Sequence, residues 1–285
     1  MNCYICGSDK IKSLYDFMEI KIMECKSCRV NFLNPFPDYE KIKSIYTKEY
    51  YNSWGINNNT ESLSKMKKTT ARNWLDKVCK YKKSGKLLDV GCAMGYFMET
   101  ADERGLEPYG VELSEFSYKI AKEKFPGKVF NGILEKAPFE NNYFDIIVMS
   151  DLIEHIRDPL RILKKANQLL KDDGILMIST PNNRDFSRMI LQNKWMHYKI
   201  EHLFYYSVRS IGILLEKQGF DALEISPAYK ALTVNYLYYQ LTTYPVPVLT
   251  LLVKLFKSLG KNNDRIINLK GGEMLVIAKK KKEKI

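Results

Sequence analysis

The sequence lacks the long apolar runs that mark secreted and membrane-spanning proteins. Cysteines and charged residues occupy the N-terminus, where a signal peptide needs an apolar stretch, so we expect a cytoplasmic protein. The most apolar stretch, 231–259, is interrupted by polar residues, two prolines and two lysines, and it does not fit a membrane span. The chain also lacks the G-x-G-x-x-G spacing of dinucleotide sites.

Histidine is scarce, whereas positive charge is abundant. Three histidines among 285 residues leave few candidates for acid–base chemistry near neutral pH. The net charge is +12, but a good part of it lies in the terminal run 279–284, a pattern typical of a solvated tail. A hydrophobic content of 45% is ordinary for a globular core, and the length allows one large domain with a small appendage.

Residues 86–95, K-L-L-D-V-G-C-A-M-G, predict a short buried strand followed by a glycine turn into a helix. Such turns bring backbone N–H groups close to a ligand. A second predicted strand ends at Glu112, about twenty residues after Gly91, where a carboxylate can accept hydrogen bonds from both ribose hydroxyls. Together these features predict a nucleoside pocket.

The spacing Gly91-x-x-x-Gly95 and the acid before it decide which nucleoside fits. Asp89 would repel a pyrophosphate, but it suits a ligand that carries an ammonium and a sulfonium. The segments L-D-V-G-C-A-M-G-Y-F at 88–97 and F-D-I-I-V-M-S-D-L-I-E-H-I-R-D-P at 144–159 resemble the first and fourth motifs of class I S-adenosylmethionine-dependent methyltransferases.

This resemblance implies the cofactor S-adenosylmethionine and a set of residues that bind it. The set is Arg72, Asp89, Gly91, Cys92, Gly95, Glu112, Leu113, Leu134 and Ser150. Many relatives bind the adenine amino group with an acid after the third strand, but Ile133 stands there in this chain. We therefore expect apolar packing of adenine against Leu113, Ile133 and Leu134.

Alternating strand and helix patterns in the core demand a mostly parallel sheet. We expect an α/β fold with a Rossmann-like seven-stranded mostly parallel sheet, whose antiparallel last strand follows from the resemblance, plus a small N-terminal zinc ribbon. The predicted strands are 87–90, 109–111, 129–131, 144–149, 175–180, 222–225 and 274–278. The predicted units are a ribbon (1–35), a linker with a helical lid (36–84) and a methyltransferase core (85–285) with an insertion (229–263).

Four of the six cysteines form two Cys-x-x-Cys pairs separated by eighteen residues, Cys3 with Cys6 and Cys25 with Cys28. Each pair can place two thiolates on one metal, so the pattern predicts a zinc ribbon; a disulfide pair is the alternative, disfavoured in the cytoplasm. Four thiolates close the tetrahedron, and the zinc is expected to be structural.

Candidate bases lie after the fourth and fifth strands, where both face the ligand crevice of such a sheet. His155 follows Glu154, and the pair Glu201-His202 follows His197. Glu201-His202 resembles a proposed base in nucleotide-sugar C-methyltransferases that also carry a four-cysteine zinc module. Catalytic roles are assigned to His202, Glu201 and His155, with His197 as a further alternative that also fits packing.

Segment 229–263 is longer than the hairpin expected between the last two strands. A predicted apolar helix face on 248–259 is flanked by Lys254 and Lys257. The helix can pack on the core or on a second subunit, or it can lie at an anionic membrane surface and present the active site to a lipid-linked acceptor.

These patterns predict methyl transfer to a small or lipid-linked acceptor, such as a sugar of envelope polysaccharide or of secondary metabolism. The chain also resembles ubiquinone-pathway O-methyltransferases, which implies a phenolic hydroxyl as the alternative acceptor. RNA methylation is a further alternative, disfavoured because Ser150-Asp151-Leu152 replaces an N-P-P-Y-type tetrad and no basic face with interleaved aromatics is evident. A non-catalytic cofactor binder is the remaining possibility.

Overall fold

The computed structural model describes residues 1–38, 40, 42, 44–45, 60–243, 247–259 and 264–281, so parts of the predicted linker and of the insertion lie outside the described residues. The strands are β1 Ile11–Phe17, β2 Ile20–Cys25, β3 Asn31–Asn34, β4 Lys86–Val90, β5 Glu107–Glu112, β6 Val129–Asn131, β7 Phe144–Ser150, β8 Leu170–Pro181, β9 Phe204–Tyr205, β10 Phe220–Thr233 and β11 Ile266–Lys280. The helices are α1 Thr60–Val78, α2 Tyr96–Asp102, α3 Glu115–Lys124, α4 Pro159–Leu169, α5 Phe186–Leu191, α6 Val208–Lys217, α7 Val234–Thr243 and α8 Pro247–Leu259.

Seven strands form the central sheet in the order β10-β11-β8-β7-β4-β5-β6. The β4–β5, β4–β7, β5–β6 and β7–β8 pairs are parallel, and β11 runs antiparallel to both of its neighbours. The predicted fold class, with an antiparallel last strand, is therefore confirmed. Because β7 is buried over almost its whole length, its run of apolar residues is what a central parallel strand requires.

The hairpin of β10 and β11 extends beyond the predicted strands. Its register runs from Phe220 opposite Lys280 to Thr233 opposite Ile266, so the first residues of the predicted insertion belong to β10. Helices α7 and α8 then occupy the tip of this hairpin. Pro227 lies at a register shift of β10, which is where a proline is tolerated in a strand.

Helix α1 covers the edge strand β10 through side chains spaced four residues apart. Trp74 Nε1–H donates to the Tyr229 carbonyl at 3.0 Å, and Thr70 Oγ1 accepts from the Ala231 N–H at 2.9 Å. The Thr233 N–H approaches Met66 Sδ at 3.2 Å. These contacts use backbone groups that an edge strand otherwise exposes, and they fix the helix against the hairpin.

The N-terminal ribbon shares a sheet with the core. Strands β1, β2 and β3 pair in that order, and β3 pairs with β9 of the core, where Phe32 lies opposite Phe204. The Leu33 N–H also donates to the Leu203 carbonyl at 3.0 Å. One hydrophobic cluster contains buried side chains from both parts. The ribbon therefore supports the segment that follows His202.

No helix within the described ranges combines the length and the apolar character needed to cross a bilayer.

Candidate functional site

The glycine turn lies at the carboxyl end of β4. Gly91 and Gly95 have φ values of +77° and +80°, which glycine adopts without strain. A Cβ on Gly91 would lie 3.1 Å from Leu152 Cδ1, so the loop after β7 packs directly on the turn. The N–H groups of Gly91 and Cys92 both donate to the Val111 carbonyl, at 2.8 and 3.1 Å, and tie the turn to β5.

Glu112 ends β5 beside this turn. One carboxylate oxygen accepts from the Ala93 N–H at 2.8 Å and the other from the Ser114 N–H at 2.7 Å. Burial raises the pKa of Glu112, although these backbone donors act in the opposite direction. The carboxylate is thus held in one orientation, and each oxygen keeps a lone pair that can accept from a ribose hydroxyl.

Asp89 carries a buried carboxylate at the end of β4. Its residue is 2% exposed, and Oδ1 has no hydrogen-bond partner in the part of the chain that is described. Burial, with Glu112 as a second cause, raises the pKa of Asp89 to about 8. An orphaned acidic group of this kind fits a cationic ligand such as the ammonium and sulfonium of S-adenosylmethionine.

The apolar residues predicted for adenine differ in exposure. Leu113 and Ile133, which follow the adjacent strands β5 and β6, are 38% and 37% exposed and can contact a planar ligand. Leu134 is 1% exposed and belongs to the main hydrophobic cluster. Cys92 is also buried, and a Cβ on Gly110 would lie 2.7 Å from its sulfur. Ser150 lies half-buried at the end of β7.

Arg72 is not brought together with the glycine turn. Its guanidinium pairs with Glu103, with Nη2 and Oε2 3.0 Å apart. Glu103 follows the last residue of α2, about 12 Å along the helix axis from Gly95, which precedes the first residue. The assignment of Arg72 to the cofactor carboxylate therefore stays a prediction without a supporting contact.

His155 and His202 meet beside the loop that follows β7. Their ring centroids lie 4.6 Å apart, and ring nitrogens of both lie within 4.8 Å of each other and of a carboxylate oxygen of Glu154. His155 Nδ1 lies 3.0 Å from the Glu201 carbonyl, so Nδ1–H donates and Nε2 keeps the lone pair in the neutral ring. Glu201 thus contributes a backbone carbonyl to the cluster, where the sequence suggested a carboxylate.

Burial sets the protonation of this cluster. It lowers the pKa of His155 to about 4 and that of His202 well below its usual value, so both rings are neutral at pH 7. Burial and the nearby Asp151 raise the pKa of Glu154 to about 8, and Thr180 Oγ1–H donates to this carboxyl at 2.9 Å. Two neutral imidazoles and a carboxyl can take and pass on a proton, or hold a divalent ion.

Sequence reasoning missed an ionic network beside this cluster. Lys230 Nζ lies 2.7 Å from Asp151 Oδ2 and 2.6 Å from Glu273 Oε1. Burial alone would raise the pKa of Asp151, but the charge and hydrogen bond of Lys230 lower it to about 2. Burial lowers the pKa of Lys67 on α1 to about 8, and the charges of the network also act on this group. No local sequence motif predicts the network, because the extension of the β10–β11 hairpin brings Lys230 and Glu273 together.

The four paired cysteines converge in the ribbon. The Sγ atoms of Cys3 and Cys28 lie 3.6 Å apart, as do those of Cys6 and Cys25, and all four lie within 4.8 Å of one another. Tetrahedral zinc with bonds of about 2.3 Å requires sulfur–sulfur distances of about 3.8 Å. The cluster therefore fits a zinc ion with four thiolate ligands.

A family model described as a methyltransferase domain matches residues 62–225. The chain is 29% identical over 125 residues to a ubiquinone biosynthesis O-methyltransferase of Leptothrix cholodnii, covering 41% of this chain and 53% of that protein. A protein of the same description from Idiomarina loihiensis is 34% identical over 103 residues, covering 34% of this chain and 42% of its own. The chain thus spans about half the length of the curated relatives it matches. The crystal structure of a SAM-dependent methyltransferase from Archaeoglobus fulgidus has the same fold, with a TM-score of 0.54 at 19% identity and coverage of 82% of this chain and 100% of that one.

Proposed function

This chain belongs to the methyltransferase domain family, and on that premise we propose that it transfers a methyl group to a hydroxyl oxygen of a small phenolic or quinone-type acceptor. The enzyme is a class I S-adenosylmethionine-dependent methyltransferase. The observation that carries the acceptor proposal is the buried pair of neutral imidazoles, His155 and His202, which can remove a hydroxyl proton. The relatives named as ubiquinone biosynthesis O-methyltransferases support the same chemistry.

S-adenosylmethionine, when bound, supplies an electrophilic methyl group on a sulfonium. In the proposed arrangement Glu112 binds the ribose diol. The positive charge of the cofactor favours the ionised form of Asp89, which then compensates that charge. Leu152 packs the loop after β7 against the turn. His202 accepts the acceptor proton, and His155, anchored by the Glu201 carbonyl, lies beside it with an unprotonated Nε2.

Carbon-13 labelling of the methyl group tests the acceptor atom. Incubation of the enzyme with labelled S-adenosylmethionine and a phenolic acceptor should give an O-methyl carbon resonance and equimolar S-adenosylhomocysteine. A carbon-bound methyl on a nucleotide sugar would instead support the sugar acceptor, which the four-cysteine cluster favours by its resemblance to those enzymes. Label found only in RNA would contradict both acceptors.

We further propose that Cys3, Cys6, Cys25 and Cys28 hold one structural zinc ion. Elemental analysis should find about one zinc per chain, and Cys3→Ser should lower this ratio and the melting temperature, because metal binding contributes folding free energy. Cofactor binding by the core should persist. The matched control is Cys79→Ser, since Cys79 lies outside the cluster and should leave the zinc content unchanged. A Cys6–Cys25 disulfide in protein kept under reducing conditions would refute this proposal.

For a lipid-linked acceptor, we propose that the enzyme is cytoplasmic and contacts the inner membrane face through α7 and α8. Leu251 and Leu255 on α8 are 59% and 52% exposed, and Lys254 lies between them in an exposed position. Other members of the predicted apolar face, 248, 249, 252, 256 and 259, have side chains outside the described set. Exposed leucines beside a lysine suit an anionic bilayer surface.

Sedimentation with phosphatidylglycerol vesicles tests this contact. Leu251→Ser with Leu255→Ser should abolish salt-sensitive sedimentation without changing the melting temperature, because both side chains are already exposed. Leu223→Ser is the control, since Leu223 is an exposed leucine on β10, away from the two helices. Absence of vesicle binding by the unaltered enzyme would reject the membrane contact and leave a freely diffusing acceptor.

A further inference from the structure

The hairpin of β10 and β11 contains a bulge that turns one carboxylate inward. Pro227 lies opposite Met274 and Tyr229 opposite Lys270, so three residues of β11 face one residue of β10. Gly272 in the bulge has φ +85°, and a Cβ there would lie 2.7 Å from Ser187 Oγ. Bulges beside functional sites commonly redirect a side chain. Here the last residue of the bulge is Glu273, which is 7% exposed.

Glu273 is connected to the cofactor side of the crevice. Its Oε1 accepts from Lys230, which also donates to Asp151 at the end of β7. The next residue, Leu152, is the one that packs on the glycine turn. The side chains of Lys230 and Asp151 keep 23% and 31% of their surface exposed, although the structure surrounds both charges. Both side chains are therefore reachable from solvent beside the loop that packs on the glycine turn, and this region is called the cleft.

Two hydrogen-bond acceptors lie close together at this cleft. Glu273 Oε2 is buried and has no hydrogen-bond partner among the described residues. The Nε2–H of His197 donates to the Gly271 carbonyl at 2.7 Å, so the neutral ring has its lone pair on Nδ1, which lies 4.0 Å from Glu273 Oε1. Burial lowers the pKa of His197 and keeps this ring neutral at pH 7.

We propose that Glu273 and His197 form a recognition subsite for a hydrogen-bond donor of the methyl acceptor, a hydroxyl or protonated amine other than the atom that is methylated. This inference rests on the proposed function, because it assigns the cleft to the acceptor. An ether or carbonyl oxygen in the subsite would face Glu273 Oε2 with another lone pair. The accepted class is therefore one with two neighbouring polar groups, such as polyphenols, polyols and amino alcohols.

The subsite should impose a strong selectivity. A site built to bind a substrate O–H or N–H discriminates against the analogue without it by about 10⁴-fold in kcat/KM, because a buried polar group is left without a partner. Glu273 acts here as a specificity residue, whereas the proton of the methylated hydroxyl is taken by the histidine cluster. Glu273→Gln keeps an oxygen for Lys230 and places an amide NH₂ where Oε2 stands. This variant should therefore reverse the preference.

Binding to the protein loaded with S-adenosylhomocysteine tests the subsite independently of the acceptor's identity. The probes are catechol, cis-1,2-cyclohexanediol and methylammonium, each compared with its fully methylated counterpart. The readout is the ring resonance of His197 in histidine-labelled protein, assigned with His197→Asn. The donor probes should shift this resonance and bind at least about tenfold more tightly than their methylated forms. The control is Glu224→Gln, because Glu224 lies on the paired strand β10 and forms its ion pair with Lys77 of α1, outside the cleft.

Equal binding within each pair, an unchanged preference in Glu273→Gln, or no shift of His197 by any donor probe would overturn the subsite. A melting curve of Glu273→Gln verifies that the variant is folded. Formation of S-adenosylhomocysteine is measured separately with the unloaded enzyme. Loss of methyl transfer to hydroxyl acceptors with the binding preference intact would overturn the proposed function alone. Methyl transfer without any probe preference would overturn the subsite alone.

Discussion

Replacing His202 by alanine is expected to lower kcat by about 10²- to 10⁴-fold, the range that positioned proton transfer contributes. The ring is neutral at pH 7 because burial lowers its pKa, and Nδ1 has no partner within the described ranges. In the tautomer protonated at Nε2, Nδ1 carries the lone pair that can take the acceptor proton. Cofactor affinity, measured by isothermal titration, should stay nearly unchanged. A fall in kcat without a rise in the cofactor Kd would identify a transition-state role.

His202→Asn separates the lost base from a packing defect, since asparagine fills much of the same volume but cannot accept the proton. His155→Ala distinguishes the two histidines of the cluster. If His155→Ala abolishes turnover and His202→Ala does not, the base is His155 and the roles are exchanged. Retention of turnover in both variants would remove the cluster from the reaction.

Glu112→Ala is expected to weaken binding of S-adenosylmethionine and S-adenosylhomocysteine by about 1.5 to 3 kcal/mol, which is about 10- to 100-fold in Kd. The physical reason is the loss of charge-assisted hydrogen bonds to the ribose diol. The same carboxylate accepts from the Ala93 N–H, so its removal also loosens the glycine turn. Glu112→Gln keeps an acceptor oxygen and should show a smaller loss.

Glu107→Ala is the matched control, because Glu107 lies at the opposite end of β5 and bonds to Tyr109 instead of the turn. Isothermal titration of Glu112→Ala, Glu112→Gln and Glu107→Ala should show a large rise in the cofactor Kd only for substitution of Glu112. Unchanged affinity in Glu112→Ala would remove this residue from the cofactor site.

The parts of the molecule that local sequence determines were predictable. The glycine turn and Glu112 lie within about twenty residues of each other. A buried strand followed by glycines is compatible with few structures other than a strand–turn–helix ligand site. The fold class followed from alternating strands and helices together with the family motifs, and the structure confirms it. The meeting of His155 with His202 was also foreseeable, since both follow strands that end at the same edge of the sheet.

The ionic network was not predictable, because it depends on the length of one hairpin. Residues 226–233 contain Pro227 and too little alternation to predict a strand, so β10 was expected to end near 225. Its extension is stabilised by pairing with β11 and by α1 along its edge, which are contacts remote in sequence. Lys230 and Glu273 meet only as a result of that tertiary pairing.

The pairing of β3 with β9 has a consequence for how the molecule opens. Because a ribbon strand is hydrogen-bonded to the segment next to His202, neither part can open without exposing buried aromatic residues of the other, Phe32 and Phe204 among them. Such shared contacts make one cooperative exchange unit out of two regions that are distant in sequence. The amide protons of Leu33 and Phe204 should then exchange with solvent at similar opening free energies, and a chemical change at the ribbon cysteines should alter the exchange of the segment beside His202.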